Sequence, residues 1–474
     1  MNDSITIDCN KKNKRFFLYY TLMAYNALIS LLYIIFNYQV GIIYLFFSLS
    51  IFILILLKNT QNIIFFIRTF FLGIIGFIAI GAKMISNDAL FGYHMRESQS
   101  LEIATLMFLL TNIALFGSEI GFLTTKKIKI ERKSTFIFEG KLFFYIVFLL
   151  LFIVSYLISM QSQSILVAAY GSNAGIQMPV NNLNSISNIL FYTLIFLYFK
   201  YINFYNWKIN KYKYLLIFSA VYLYIYSEIL HGVRMDALNG VFGSIVLYYI
   251  YTNKSLKLTW KVFLLGIFLF ILLQIVGIVR SALQFMTFSQ LIDLVIYGLG
   301  SIFTGSKSGI MFYQGTINDI ATTFSGIIYM LKHNIVGFLY GSSYFDYILR
   351  TPPQFLYPDR PQDLAWIFIN HGFSSGGGFF ELAEAYYNFG IIGAFIVPFS
   401  VSFILGYSYK LFIINRYSLV SSILLFSILS GFMRGVLYQT FTFYKSIVTG
   451  FILLVMFYFI IGMIQKNKHK ALSK

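Results

Sequence analysis

Apolar runs close to the length of a membrane span alternate along this chain with short polar, lysine-rich breaks. A helix needs about 20 apolar residues to cross the hydrocarbon layer. Twelve runs meet that length within a few residues: 16–36, 40–57, 63–82, 101–123, 141–160, 183–202, 214–230, 235–251, 260–279, 390–409, 420–438 and 446–464. The pattern predicts an all-α polytopic membrane protein with about 12 transmembrane helices. Three parts follow from it: residues 1–279 with nine helices and short loops, one large loop over 280–389, and residues 390–474 with the last three helices and a basic tail.

Charge placement orients the bundle. With the N-terminus inside, 24 of the 35 lysines and arginines fall on cytoplasmic segments, so the positive-inside rule predicts both termini in the cytoplasm. Composition agrees, since 58% of the residues are hydrophobic and only 11% charged, far from a soluble domain. The net charge of +18 does not point to nucleic acid, because the positive residues sit in short clusters between apolar runs rather than on one face of a soluble module. Cys9 is the single cysteine, which excludes an intramolecular disulfide or a cysteine metal cluster. The sequence contains no internal repeat, which argues against a transporter built from two equivalent halves.

This orientation puts 280–389 outside, between the ninth and tenth helices. The segment is too apolar to be disordered. Apolar residues at helical spacing over 289–303 and 317–332 predict amphipathic helices lying on the bilayer or against the bundle. Four of the six prolines then fall between 352 and 361 and predict irregular backbone there. FELAEAYYNFG, from 380 to 390, is expected to begin the tenth helix, with Glu381 and Glu384 on one face.

Ionisable groups in so apolar a chain are the candidate chemistry. Glu381, Glu384, Asp359 and His371 could each act as general base toward a hydroxyl. The same acids also suit a helix N-terminus or a structural pairing, and spacing does not choose among them. Arg234, Arg280, Arg350, Arg360 and Arg434 gather on the outer side, where the planar guanidinium suits phosphate oxygens, and His231 lies beside Arg234. Snorkelling to lipid headgroups is the plain alternative for each arginine. Arg68 and Glu119, near the inner ends of the third and fourth helices, are expected to be cytoplasmic-side anchors. No Asp-x-Asp pair is present to grip a metal-bound sugar nucleotide, and no metalloprotease motif occurs.

The stretch Pro358-Asp359-Arg360-Pro361, then Gly376-Gly377-Gly378-Phe379, then Glu381-Leu-Ala-Glu-Ala-Tyr386 through Asn388-Phe389-Gly390 and Gly393 resembles the external loop of Wzy-type O-antigen and capsule repeat-unit polymerases. The local match covers about a tenth of the chain, and the helix layout extends it more loosely. The resemblance implies a glycosyltransferase with a C-type (GT-C-like) helical bundle in the bacterial inner membrane. Its substrates would be undecaprenyl-diphosphate-linked oligosaccharides, joined on the outer face without cofactor, metal or nucleotide. Membrane lipids and a polysaccharide chain-length regulator are the other candidate partners. An O-antigen ligase and a lipid-linked oligosaccharide flippase are the rival readings.

Overall fold

The structure is a computed structural model that describes residues 62–73, 97–130, 141–162, 180–204, 243–250, 316–352, 357–364, 366–371, 379–415, 418–437 and 439–472, with Gly76, Tyr224, Gln290 and Asp293. The regular structure among the described residues is helical, with no strand. In chain order the helices are α1 (Ile63–Gly73), α2 (Glu97–Lys127), α3 (Lys141–Ser162), α4 (Val180–Phe204), α5 (Thr316–Lys332), α6 (Ser342–Arg350), α7 (Trp366–Asn370), α8 (Glu381–Ile414), α9 (Leu419–Leu437) and α10 (Thr440–Leu472).

Among the described residues, three helices are long and apolar enough to cross a membrane: Glu102–Lys127, Glu381–Ile414 and Thr440–Ile460. Shorter apolar helices cover Ile63–Gly73, Phe143–Ile158, Ser185–Phe199 and Leu419–Phe432. The spans expected at 16–36, 40–57 and 260–279, and nearly all of 214–230 and of the amphipathic helix at 289–303, lie outside the described residues. Exposed apolar faces on α3 (Leu149, Phe152, Ile153) and α10 (Phe451, Ile452, Phe459) fit lipid rather than water.

The most extensive packing joins α2 to α8. A Cβ at Gly117 would lie 2.5 Å from the carbonyl oxygen of Phe395, and one at Gly121 would lie 2.2 Å from that of Phe399. Glycines four apart let the two backbones touch, as small residues do between membrane helices. The correspondence of 117 with 395 and 121 with 399 makes the two helices run parallel there. At their common end the Lys410 ammonium donates to the carbonyls of Thr125, Lys126 and Ile128 at 3.0, 2.8 and 2.6 Å, closing the C-terminus of α2 with a cation. α9 and α10 pack antiparallel through Gly431 and Gly450, each against the partner helix's serine, Ser446 and Ser427.

α8 is not the single helix expected from FELAEAYYNFG. Gly390 has φ 62° and ψ −144°, which breaks the helix into two arms. A Cβ on Gly393 would sit 2.0 Å from the carbonyl oxygen of Ala385, although a straight helix would hold the Cα atoms of the two residues about 12 Å apart. The arm 381–389 is therefore folded back along the arm that follows Gly390. Residues 339 and 340 cover the fold, donating to the carbonyls of Tyr387 and Asn388 at 3.1 and 3.0 Å. α5, expected on the bilayer or against the bundle, takes the second course and buries Phe324, Ile327 and Ile328 against α8 and α2.

Candidate functional site

Folding back carries the polar residues of the first α8 arm into the bundle. Glu381, Glu384 and Asn388 are spaced i, i+3 and i+7, share a face, and are at most 1% exposed. At the deep end, Arg68 on α1 makes a bidentate pair with Glu381: Nη1 donates to Oε2 and Nη2 to Oε1. The Arg68 Nε donates to Ser402 Oγ on the second arm at 3.3 Å, and Ser402 lies 2.6 Å from Ser118 Oγ on α2. The guanidinium also stands 5.9 Å from the ring centre of Phe432 on α9. One turn higher, Glu384 accepts from the Tyr347 hydroxyl, from Ser343 Oγ at 3.2 Å and from the backbone N–H of Thr440 at 3.1 Å. That last donor opens α10, where a carboxylate meets the positive end of the helix dipole. Asn388 completes the column, donating to Ser343 Oγ at 2.8 Å and accepting from the Gly341 N–H at 3.1 Å.

These contacts correct two expectations. Arg68 is not a cytoplasmic anchor: it is 0% exposed and buried against Glu381. Glu119 is also buried rather than reaching the surface. The cost of an arginine within a spanning segment is what the pairing offsets.

Above the column, α6 carries the first cation of a partly exposed group. Arg350, at its C-terminal end, donates to Asp363 Oδ2 at 2.7 Å and stacks 4.6 Å from the Phe441 ring centre. Gln439 donates to the other oxygen of Asp363 at 2.9 Å. Arg360 lies close enough to feel this group. Burial lowers its pKa first and the Arg350 charge lowers it further, while Asp363 opposes both. Two guanidinium charges near one carboxylate leave a net positive charge suited to an anion. Tyr344 adds a buried phenol whose oxygen has no hydrogen-bond partner among the described residues; burial, then Glu384 and Glu381, push its pKa well above the ordinary value.

Of the predicted site residues, Arg350 and Arg360 lie near enough for their charges to interact, and Glu384 is joined through Ser343 and Tyr347 to α6, which carries Arg350. Asp359 is exposed in a turn, and His371 is exposed just after α7 with Nδ1 donating to the Ile367 carbonyl at 2.8 Å. Glu381 is taken away from the exposed group and given to Arg68. Arg434 lies on α9 with its side chain outside the described residues, as are Arg234, Arg280 and His231 altogether. Arg68, Ser118, Ser343, Tyr347, Asn388, Ser402 and Gln439 were missed by sequence reasoning. For Arg68 the signal was present, since a charge five residues into an apolar helix calls for a partner.

The fold and site thus define a polytopic helical membrane protein with a buried ionic pair beneath a cationic surface group. The chain matches the family model described as O-antigen polysaccharide polymerase Wzy over residues 16–468, nearly its whole length, and it belongs to that family. No curated protein and no solved structure matches it. Membership makes it a bacterial inner-membrane protein with an O-antigen polymerase-type role in polysaccharide synthesis.

Proposed function

We propose that the chain joins undecaprenyl-diphosphate-linked oligosaccharide repeat units into O-antigen or capsular polysaccharide at the outer face of the inner membrane. The observation that carries this reading is the Arg350–Arg360 group at the end of the bundle remote from the basic Lys126, Lys127 and Lys410 end. By the positive-inside rule the latter end faces the cytoplasm, so the arginine group faces out. No nucleotide supply exists there, and a donor must bring its own leaving group.

In the reaction, a hydroxyl of the acceptor unit attacks the anomeric carbon of the donor chain. The new glycosidic C–O bond forms as the bond from that carbon to the lipid diphosphate breaks. The proton passes to a base, for which exposed Asp359 and His371 are the available groups, with Glu384 behind them. Arg350 and Arg360 stabilise the charge that develops on the departing diphosphate, the work a metal ion does elsewhere. Arg234, Arg280, Arg434 and His231 are proposed to extend the same anion site. The donor and acceptor are both lipid-linked, and a chain-length regulator is the proposed protein partner.

Deletion of the gene followed by analysis of the surface polysaccharide tests this. Loss of polymer with retention of a single repeat unit on the lipid anchor is expected, with recovery on complementation. Core without any repeat unit would instead indicate a ligase or a flippase. Arg350→Ala and Arg360→Ala are each expected to lower polymer yield by about tenfold or more at equal protein amount.

A further inference from the structure

We infer that Arg68 is a positioning residue for the polymerisation, acting through Glu381 to set the depth at which the folded-back arm of α8 lies in the bundle. The inference rests on the polymerase reading. Glu381 has the wrong surroundings for work on a substrate: both carboxylate oxygens are taken by the guanidinium, and the side chain is 1% exposed. Arg68 is equally enclosed, with Ser402 and Ser118 closing its remaining side.

A buried ion pair is a weak source of net stability, because desolvation consumes much of its Coulombic gain. Its best-attested use is to fix register, and here it does so at the deep end of the arm 381–389, whose other polar contacts lie at Glu384, Tyr387 and Asn388. Leu382, Ala383 and Ala385 are buried and apolar, so their side chains make no directional contact that would oppose a slip of one turn. Such a slip moves the arm about 5.4 Å along its axis. It would take Glu384 away from Tyr347, Ser343 and the Thr440 N–H together. Two of those contacts hold α6, which carries Arg350, and the third holds the start of α10. The start of α10 carries Gln439, which shares Asp363 with that arginine. A pair buried between α1 and α8 is therefore linked to the cationic group through the first arm of α8, the hydrogen bonds of Glu384 and α6. Arg68 is bound at once by the first arm (Glu381), the second arm (Ser402) and, through Ser402, by α2 (Ser118). A slip of the first arm against the second breaks the guanidinium's contact with one of them.

The test compares Arg68→Gln, Glu381→Gln and the double variant in cells lacking the native gene, with polymer formation rate normalised to membrane-inserted protein. The parent chain is measured first: if it does not turn single units into polymer, the polymerase reading falls before the pair is examined. Each single variant is expected to lose about tenfold or more, since a small misplacement of a reacting group has that effect. The double variant has no unpaired buried charge and keeps amide-to-amide hydrogen bonding, so it is expected to return to within about threefold of the parent. A double variant no better than Glu381→Gln alone would overturn the inference and give Glu381 a direct part in the chemistry. Single variants that polymerise at the parental rate would overturn it too. Should the single variants be lost from the membrane, Glu381→Asp keeps the charge and shortens its reach by one methylene. It is expected to accumulate normally at about tenfold lower rate, and a parental rate would sink the idea.

Discussion

At Glu384 three donors converge on one carboxylate, and this decides what the residue tolerates. Tyr347, Ser343 and the Thr440 backbone all present hydrogens, so an acceptor-only group is required. Glu384→Gln keeps the shape but turns an amide N–H2 toward one of those donors. The expected cost is about 2 kcal/mol of stability, read as a lowered unfolding midpoint of the detergent-purified protein, with Glu384→Asp intermediate. The sequence made Glu384 legible as a candidate, because a carboxylate in an apolar run calls for a partner. It could not show the partners: Ser343 lies 41 residues away and Thr440 56, in elements whose approach is set by tertiary packing. Arg68 was misread for the same reason. Its distance from the helix end allowed snorkelling, and nothing local revealed a glutamate 313 residues further on.

At the scale of elements, periodicity located helices well and failed at how they fold on one another. The runs predicted at 101–123, 141–160 and 420–438 correspond to α2, α3 and α9 within a few residues, because length and apolarity alone mark them. The reversal within α8 was not legible, since Gly390 stands among residues that suit a continuous helix, and only its positive φ distinguishes it. The contact of α2 with α8 shows the complementary case, in which side-chain absence is the determinant. Gly121→Leu places a branched side chain where even a Cβ would meet the Phe399 carbonyl at 2.2 Å, and the obstacle is backbone that cannot rotate away. The variant is expected to separate the two helices and to aggregate on extraction, seen as loss of the monodisperse peak in size-exclusion chromatography. Gly121→Ala should be milder but still destabilising, by about 1–3 kcal/mol. Gly337 offers the control, because a Cβ there meets nothing within 4 Å, and Gly337→Ala should leave the peak unchanged.

For the molecule as a whole, the lysine-closed end of α2 and the arginine group lie at opposite ends of one bundle, and the chemistry depends on which end faces out. Helix directions within the bundle are consistent with the alternation the sequence predicts: α2 runs parallel to the second arm of α8, as two even-numbered spans should. Sidedness itself comes from charge, since a helix bundle is equally content either way up and only the bias of lysine and arginine selects one. Cys9 makes the question simple to test, because it is the only native thiol. In a Cys9→Ser background, Asp359→Cys places a thiol at an exposed turn of the site. A membrane-impermeant maleimide should label it in cells whose outer membrane alone has been permeabilised. The native Cys9, in the parent chain, should react only after the inner membrane is broken. The reverse pattern would put the arginines beside the cytoplasm, where sugar nucleotides rather than lipid-linked polymers are the available donors, and the proposed glycosyl transfer would have no substrate.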